Sequence, residues 1–329
     1  MSGSKTRMNK RTLALLIAVA LDLLAGEPPS SVHPVNWVGG AITGLEGRAP
    51  REGHHSRFLY GALSTLALVG GAFGAGRVVQ NELDRLPAPA GPLLQALLLK
   101  PAFALGALLA AGHGVESALA AEDLHAARDA LTSLVSRPTA ELSAAECAAA
   151  AVESLAENTT DSVVGPWLAY ALFGLGGAWA FRAINTLDSR WGYHGAYEWL
   201  GRTAARLDDL AALVPARVSA ILLIAGMALT GGDAGGALRA LAADRGRTES
   251  PNAGWTMSAM AGGLGRRLEK RGQYVLNAAA PGCCAADIAR ARRVVAAAGG
   301  LALGLATACA LIANLAPLLP SHRHSGGPE

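Results

Sequence analysis

"ESLAENTTDSVVGPWLAY", residues 153–170, sets three carboxylates and an amide directly against an apolar run. Wound as a helix of about 3.6 residues per turn, it stacks Glu153, Glu157 and Asp161 on one stripe, where like charges repel. Something cationic has to balance that stripe. A solvated helix face is an equal alternative on spacing alone, and only the flanking Ala and Leu residues suggest an inward stripe.

Working outward, composition names the solvent. The chain has 329 residues, of which 51% are hydrophobic and 16% charged, where soluble domains carry about 25% charge. Mean hydropathy is +0.30. Only 5% of residues are aromatic, and long alternating Val/Ile/Tyr stretches are absent, so helices rather than a barrel meet the backbone's hydrogen-bond needs in lipid. The expectation is an all-α, polytopic integral membrane protein of the cell membrane. It forms one membrane-embedded domain over residues 1–320, followed by a disordered tail at 321–329 with nothing to bury.

Three segments, Phe58–Gly76, Val163–Phe181 and Val294–Leu318, reach the roughly 20 apolar residues that cross a hydrocarbon core. Two more are interrupted: Leu93–Gly112 by Lys100-Pro101, and Leu210–Thr230 by Pro215 and Arg217. Ionisable groups in such places face a cavity, a partner or the interface. The run Leu13–Ala25 is short, carries Asp22 and lies behind Lys5, Arg7, Lys10 and Arg11. It mimics a signal peptide but lacks a small-x-small cleavage site, so a retained, strained or re-entrant segment is expected. The basic start favours a cytoplasmic N-terminus, while Arg in nearly every loop leaves the other segments unoriented. A net charge of +3 suits anionic lipid or phosphates and is too mild for nucleic acid. The four cysteines form no C-x-x-C pair, so no zinc or disulfide framework is implied.

Three polar connections, His113–Ser162, Arg182–Asp209 and Gly231–Arg293, separate the apolar runs and are the place for chemistry. In the first, Ser143-Ala-Ala-Glu146 is a capping box with Leu142 and Cys147 placed for a hydrophobic staple, which assigns Glu146 to helix initiation. Beyond the opening stretch, "RAINTLDSRWGYH" (182–194), "RLDDLAALVPAR" (206–217) and "SPNAGWTMSAMAGGLGRR" (250–267) each mix carboxylates or amides with Arg beside an apolar segment. That mixture can hold a metal ion together with phosphate: magnesium takes one or two carboxylates and completes its octahedron with phosphate oxygens and water. Arg and Gly-rich backbone then take the remaining oxygens.

Each cluster also has a bland reading. Arg206 with Asp209, or Arg202 and Arg206 with Asp208, suit surface pairs, Asn185 and Asp188 suit caps or turns, and Asn252 after Pro251 suits a turn. Lys100 suits a snorkelling side chain, and His33 a loop. The common nucleotide, metalloprotease and hydrolase signatures are all absent. Spacing and composition alone therefore stop at a helical membrane protein with an acidic, Arg-containing site.

The strings themselves go further. "DLLAGEPPSSVHPVNWVGGAI", "VESLAENTTDSVVGPWLAY", "AINTLDSRWGYH", "ARLDDLAALVPAR" and "SPNAGWTMSAMAGGLG" occur in this order and resemble the motifs of the CobD/CbiB family of cobalamin-biosynthesis membrane proteins, the adenosylcobinamide-phosphate synthases. The resemblance runs from about Leu21 to Ala278. It implies condensation of adenosylcobyric acid with aminopropanol phosphate, or with aminopropanol, into an amide at the f-side propionate, driven by ATP with Mg2+. It makes Glu153, Glu157, Asp161, Asp208 and Asp209 the catalytic candidates, with Glu157, Asp161 and Asp188 as magnesium ligands. Asp208 and Asp209 are candidates for a second metal or for the amine proton. Asn158 and Asn185 would orient ligands or phosphate. Arg137, Arg217 and Lys100 are candidates for phosphate or propionate, Asn252 and Gly254 shape the pocket, and His33 completes the binding set. Two charges of the family pattern are missing, since Pro138 and Asn36 stand where an acidic and a basic residue are expected; this weakens the Arg137 and His33 assignments.

Two other classes compete. A non-catalytic membrane sensor similar to the AmpE proteins predicts scattered loss of the acidic clusters, all of which are present. A transporter would use Lys100 and Arg217 along a path, but matching broken halves are not visible. The implied partners are the corrinoid and amine substrates, the lipid bilayer, and, for a membrane-held product, a complex with later nucleotide-loop assembly enzymes; nucleic acid is not among them.

Overall fold

The computed structural model of the chain describes residues 10–27, 34–192, 195 and 197–315. Expectations for His33 and for the tail at 321–329 fall outside these residues.

The axis of the molecule is the helical unit Ala144–Trp191. Of its apolar window 72% is buried inside the protein, against 17% for His54–Arg85, so the first is wrapped by protein and the second forms a lipid-facing wall. The unit consists of α7 (Ala144–Thr159), one π-helical turn (Thr160–Val164) and α8 (Gly165–Trp191). It begins at the anticipated capping box: the Ser143 amide donates to Glu146 Oε2 at 2.8 Å, and the Glu146 amide donates to Ser143 Oγ at 3.4 Å. Sequence reading starts the span at Val163, whereas the helix begins 19 residues earlier, at Ala144. The acidic stretch is thus the interior of the central helix rather than a connection outside it.

Ahead of the axis come α1 (Lys10–Ala25), α2 (Pro34–Glu46), α3 (His54–Arg85), α4 (Ala90–Leu99), α5 (Leu105–Ala120) and α6 (Leu124–Leu131). After it come α9 (Glu198–Ala211), α10 (Leu213–Leu229), α11 (Ala234–Asp244), α12 (Ala253–Leu264), a hairpin of β1 (Leu268–Lys270) and β2 (Tyr274–Leu276), and α13 (Ala285–Leu315). Among the described residues, four stretches are long and apolar enough to cross a membrane: α3, Ala90–Ala120, Ala144–Trp191 and Ala285–Ala313. A fifth is the pair α9–α10, bent by 46°. The first interrupted candidate does break where expected, at the 3-10 turn Lys100–Ala102, whereas in the second α10 runs unbroken through Pro215 and Arg217 and the bend lies ahead of them, between Ala211 and Leu213. The short first run is a 16-residue helix packed chiefly on α4, with Ala14, Leu15, Ala18 and Val19 buried.

Exposed Leu59, Leu63, Leu66, Leu93, Leu97, Val214, Ile221 and Ile312 form the apolar surface expected toward lipid. Inside, one large cluster joins α1, α5, α7, α8, α12 and α13, and a smaller one of Ile42, Leu187, Trp191, Leu200 and Ala204 fastens α2 and α9 to the end of α8. Helix α8 breaks at Gly174 (φ 70°, ψ −155°), and Gln80 of α3 accepts a hydrogen bond from the Leu175 amide at 3.2 Å, meeting a backbone need that lipid cannot.

Helix α9 reaches the axis by a close approach at Gly201, where a Cβ would overlap the Trp191 carbonyl oxygen. Gly201→Ala is expected to lower the unfolding midpoint in detergent, overpacking costing about 1–3 kcal/mol. Gly70→Ala, where a Cβ meets nothing within 4 Å, should leave it unchanged or raise it, because Ala is favoured over Gly inside a helix by about 1 kcal/mol. Equal midpoints for the two variants would contradict the close approach.

Candidate functional site

The turn that carries Asp161 is π-wound, with the Gly165 amide donating to the Thr160 carbonyl. Such single-turn insertions recur at functional sites because they widen the helix and release a carbonyl. Here the Ser162 carbonyl accepts from the Ala104 amide at 2.9 Å and so anchors the start of α5.

Around this turn lies a cavity of about 810 Å³, within the range of small-molecule sites. Glu157, Thr160 and Asp161 of the axis form one wall, Asp188 and Trp191 of α8 the next, and Asp208 and Asp209 of α9 the third. Asn252 and Thr256 of α12, Arg137 from the loop before α7, and Lys270 and Gln273 of the hairpin complete it. The chamber is lined by seven carboxylates and four cations, an excess of acid that calls for a cationic ligand.

The stripe that opened the reading is balanced from three separate elements. Arg137 Nη2 donates to Glu153 Oε2 at 3.0 Å; Glu153 is 5% exposed and lies behind the cavity wall. The charge of Lys270 acts on Glu157, and that of Arg182, from α8, acts on Asp161. Like charges also act among Asp161, Asp188, Asp208 and Asp209, relieved by Arg182 at Asp161, by Arg206 at 3.7 Å from Asp209 and by Asn185 hydrogen-bonding to Asp208. In the hairpin, outside the spans, burial pushes the Tyr274 phenol above its ordinary range and keeps it neutral. Burial likewise pushes the Cys283 thiol up to about 12, which leaves it protonated and unreactive.

Other sequence candidates sit elsewhere. Asn158 donates to the Ser154 carbonyl and hydroxyl at 3.1 Å and accepts from Ser162, so it serves the helix. Arg217 donates to Asn252 Oδ1 at 2.5 Å with its guanidinium 4.6 Å from the Trp255 ring, while Asn252 Nδ2 donates to the Asp209 carbonyl at 2.8 Å. Arg217 thus supports the wall through Asn252 and is not part of the lining. Gly254 allows α12 to pass the Arg245 carbonyl, where a Cβ would overlap it. Lys100, 5% exposed, pairs with Asp22 at 2.9 Å and Glu27 at 2.5 Å, away from the cavity. Sequence reading missed Arg182, Thr160, Lys270 and Gln273. Arg182 opens one of the quoted strings, whereas nothing in "LEKRGQYVL" signals a cavity wall.

The donor set fits a hard divalent ion. The carboxylates and the buried Thr160 hydroxyl, which has no hydrogen-bond partner, supply only oxygens. Among the described residues no three His, Cys, Asp or Glu side chains form a ready cage. An open arrangement of this kind suits magnesium, which takes few protein ligands and keeps phosphate oxygens and water.

Residues 15–297 match the sequence profile of the family described as CobD/Cbib protein. The chain belongs to the CobD/CbiB family. It is 36% identical over 264 residues to the cobalamin biosynthesis protein CobD of Dehalococcoides mccartyi (strain CBDB1), covering 80% of this chain and 86% of that one. It is 35% identical over 313 residues to the protein of the same name in Citrobacter koseri (strain ATCC BAA-895 / CDC 4225-83 / SGSC4696), covering 91% and 98%. To the probable cobalamin biosynthesis protein CobD of Methanothermobacter thermautotrophicus it is 38% identical over 263 residues, covering 80% and 85%. No solved structure matches it. Membership places this CobD/CbiB chain, with its membrane-crossing helices, among the multi-pass proteins of cobalamin biosynthesis.

The placement of Lys100 is testable. Lys100→Met strands the buried Asp22 without its cation and is expected to cost about 3–5 kcal/mol, read as a lower unfolding midpoint in detergent. Adding Asp22→Asn, which still accepts from the Gly106 amide that now meets Asp22 Oδ2 at 2.7 Å, should recover most of the loss. Unchanged stability of Lys100→Met would place the lysine in a role other than this pair.

Proposed function

We propose that this CobD/CbiB protein joins the f-side propionate of adenosylcobyric acid to aminopropanol phosphate, or to aminopropanol, in an ATP-dependent amide ligation. The observation that carries the reading is convergence: Glu157, Asp161, Asp188, Asp208, Asp209, Asn252 and Arg137, scattered over more than a hundred residues, line one cavity.

A carboxylate is a poor electrophile, so it must first gain a leaving group. In this reading a propionate oxygen attacks the terminal phosphorus of ATP, the bond to the bridging oxygen breaks and ADP departs, leaving an acyl phosphate. The amine nitrogen then attacks the acyl carbon, inorganic phosphate leaves, and the amine's proton passes to Asp208 or Asp209. Glu157, Asp161 and Asp188 would hold Mg2+, which supplies charge neutralisation at the phosphate oxygens. Arg137 offers a fork of donors to phosphate or propionate, at the cost of its hold on Glu153. Trp191, Ala212 and Ala216 give the chamber a water-excluding side that protects an acyl phosphate from hydrolysis. Release within the cell membrane would suit hand-over to the enzymes that assemble the nucleotide loop.

Purified protein in detergent, given adenosylcobyric acid, either amine, ATP and Mg2+, should yield the amide adduct by mass spectrometry. Chelation of the metal should abolish the product and added Mg2+ restore it. No adduct from folded protein with either amine would favour the AmpE-like sensor reading. Asp161→Asn keeps volume and removes one charge, and is expected to lower turnover by at least ~10²-fold, the scale of one lost preorganised electrostatic contact, with normal membrane insertion. Activity within a few-fold of the wild-type chain would take Asp161 out of the site.

A further inference from the structure

The hairpin lies between two cavities. Besides the 810 Å³ chamber, a second space of about 530 Å³ opens beside it, lined by Arg247, Glu269, Tyr274 and Val275; Lys270 and Gln273 are common to both. The hairpin is held by its stem. Leu268 and Leu276 are fully buried, the Asn277 amide donates to Asp244 at 2.7 Å, Arg271 pairs with Glu146 of α7, and Gly272 makes the turn at φ 72°. Lys270, last in β1 and paired in register with Tyr274, is thereby presented at the opening where the spaces meet.

The cations of the main chamber are not equivalent. Arg137 is committed to Glu153 and Arg206 to Asp209, and Arg202 lies 5.3 Å from the Trp199 ring. Among the described residues, no carboxylate stands within ion-pair distance of Lys270, although its charge acts on Glu157 and Glu153. An ammonium with three free donors, on a fixed support above an acidic wall, suits an incoming polyanion better than a second carboxylate.

We propose that Lys270 is the phosphate-binding cation at the entrance of the chamber. It holds a phosphate monoester or the end of a polyphosphate whose organic part lies in the second cavity along Tyr274 and Val275. The proposal deepens the ligase reading and rests on it for the identity of the phosphate, which has two sources there: the nucleotide and the phosphorylated amine.

Binding without turnover separates the two ideas. ATP, aminopropanol phosphate and aminopropanol are each titrated calorimetrically, with Mg2+, into the full chain in detergent, as wild type, Lys270→Met, Lys270→Arg and Arg267→Gln. Arg267 is 3.5 Å from Glu269 and lines neither cavity, so it controls for net charge. Lys270→Met should weaken at least one phosphate ligand by about tenfold or more, with Lys270→Arg within about threefold of wild type, and Arg267→Gln and aminopropanol binding unchanged. The ligand that weakens names the source. Wild-type affinity for both phosphates in Lys270→Met, equal weakening in Arg267→Gln, or no phosphate binding by the wild-type chain would each overturn the proposal. Phosphate binding that depends on Lys270, in a chain that makes no amide, would instead overturn the ligase reading alone.

Discussion

A carboxylate inside a membrane-embedded helix has to be given a cation, and this chain stacks three on one face of its central helix. Glu153 is paired with Arg137 of the loop before α7, while the charges of Lys270 of the hairpin and Arg182 of α8 act on Glu157 and Asp161 without direct pairing. That constraint explains why the loop, the hairpin and the far part of α8 all converge on one turn. Asp188, Asp208 and Asp209 add acid beyond what the local cations balance, a surplus that favours a cationic ligand in the chamber.

Support comes in layers. Arg217 holds Asn252, and Asn252 ties the Asp209 carbonyl of α9 to the start of α12. The π turn frees the Ser162 carbonyl to fix α5, and Gly201 lets α9 press against the end of α8. Buried away from the cavity lining, Lys100 with Asp22 and Glu27 anchors α1 to the break between α4 and α5. Lys100 and Arg217 thus serve structure, although isolated charges in apolar runs look like functional residues in the sequence.

Apolar runs, a capping box and acidic clusters were legible because each is a local pattern, decided by residues within a few turns. The positions of Lys270 and Arg182 were not, because cation placement across elements depends on tertiary packing that spacing does not encode. The hairpin escaped for a similar reason: two strands of three residues carry too little alternation to stand out against helix formers. The π turn is likewise silent in "NTTDSVV", where nothing marks the added residue. Of the acidic residues named from the sequence, Glu157, Asp161, Asp188, Asp208 and Asp209 line one cavity, whereas Glu153 pairs with Arg137 outside the lining.

The most direct test of the central claim, that the acidic chamber is a divalent-metal site for a phosphate ligand, is electron paramagnetic resonance of Mn2+ titrated into the purified chain with ATP. The account predicts bound Mn2+ in the wild-type protein and a loss of affinity of about tenfold or more in Asp188→Asn. The same variant should keep the wild-type unfolding midpoint. Mn2+ binding that is equal in the two proteins would place the metal elsewhere and contradict the account.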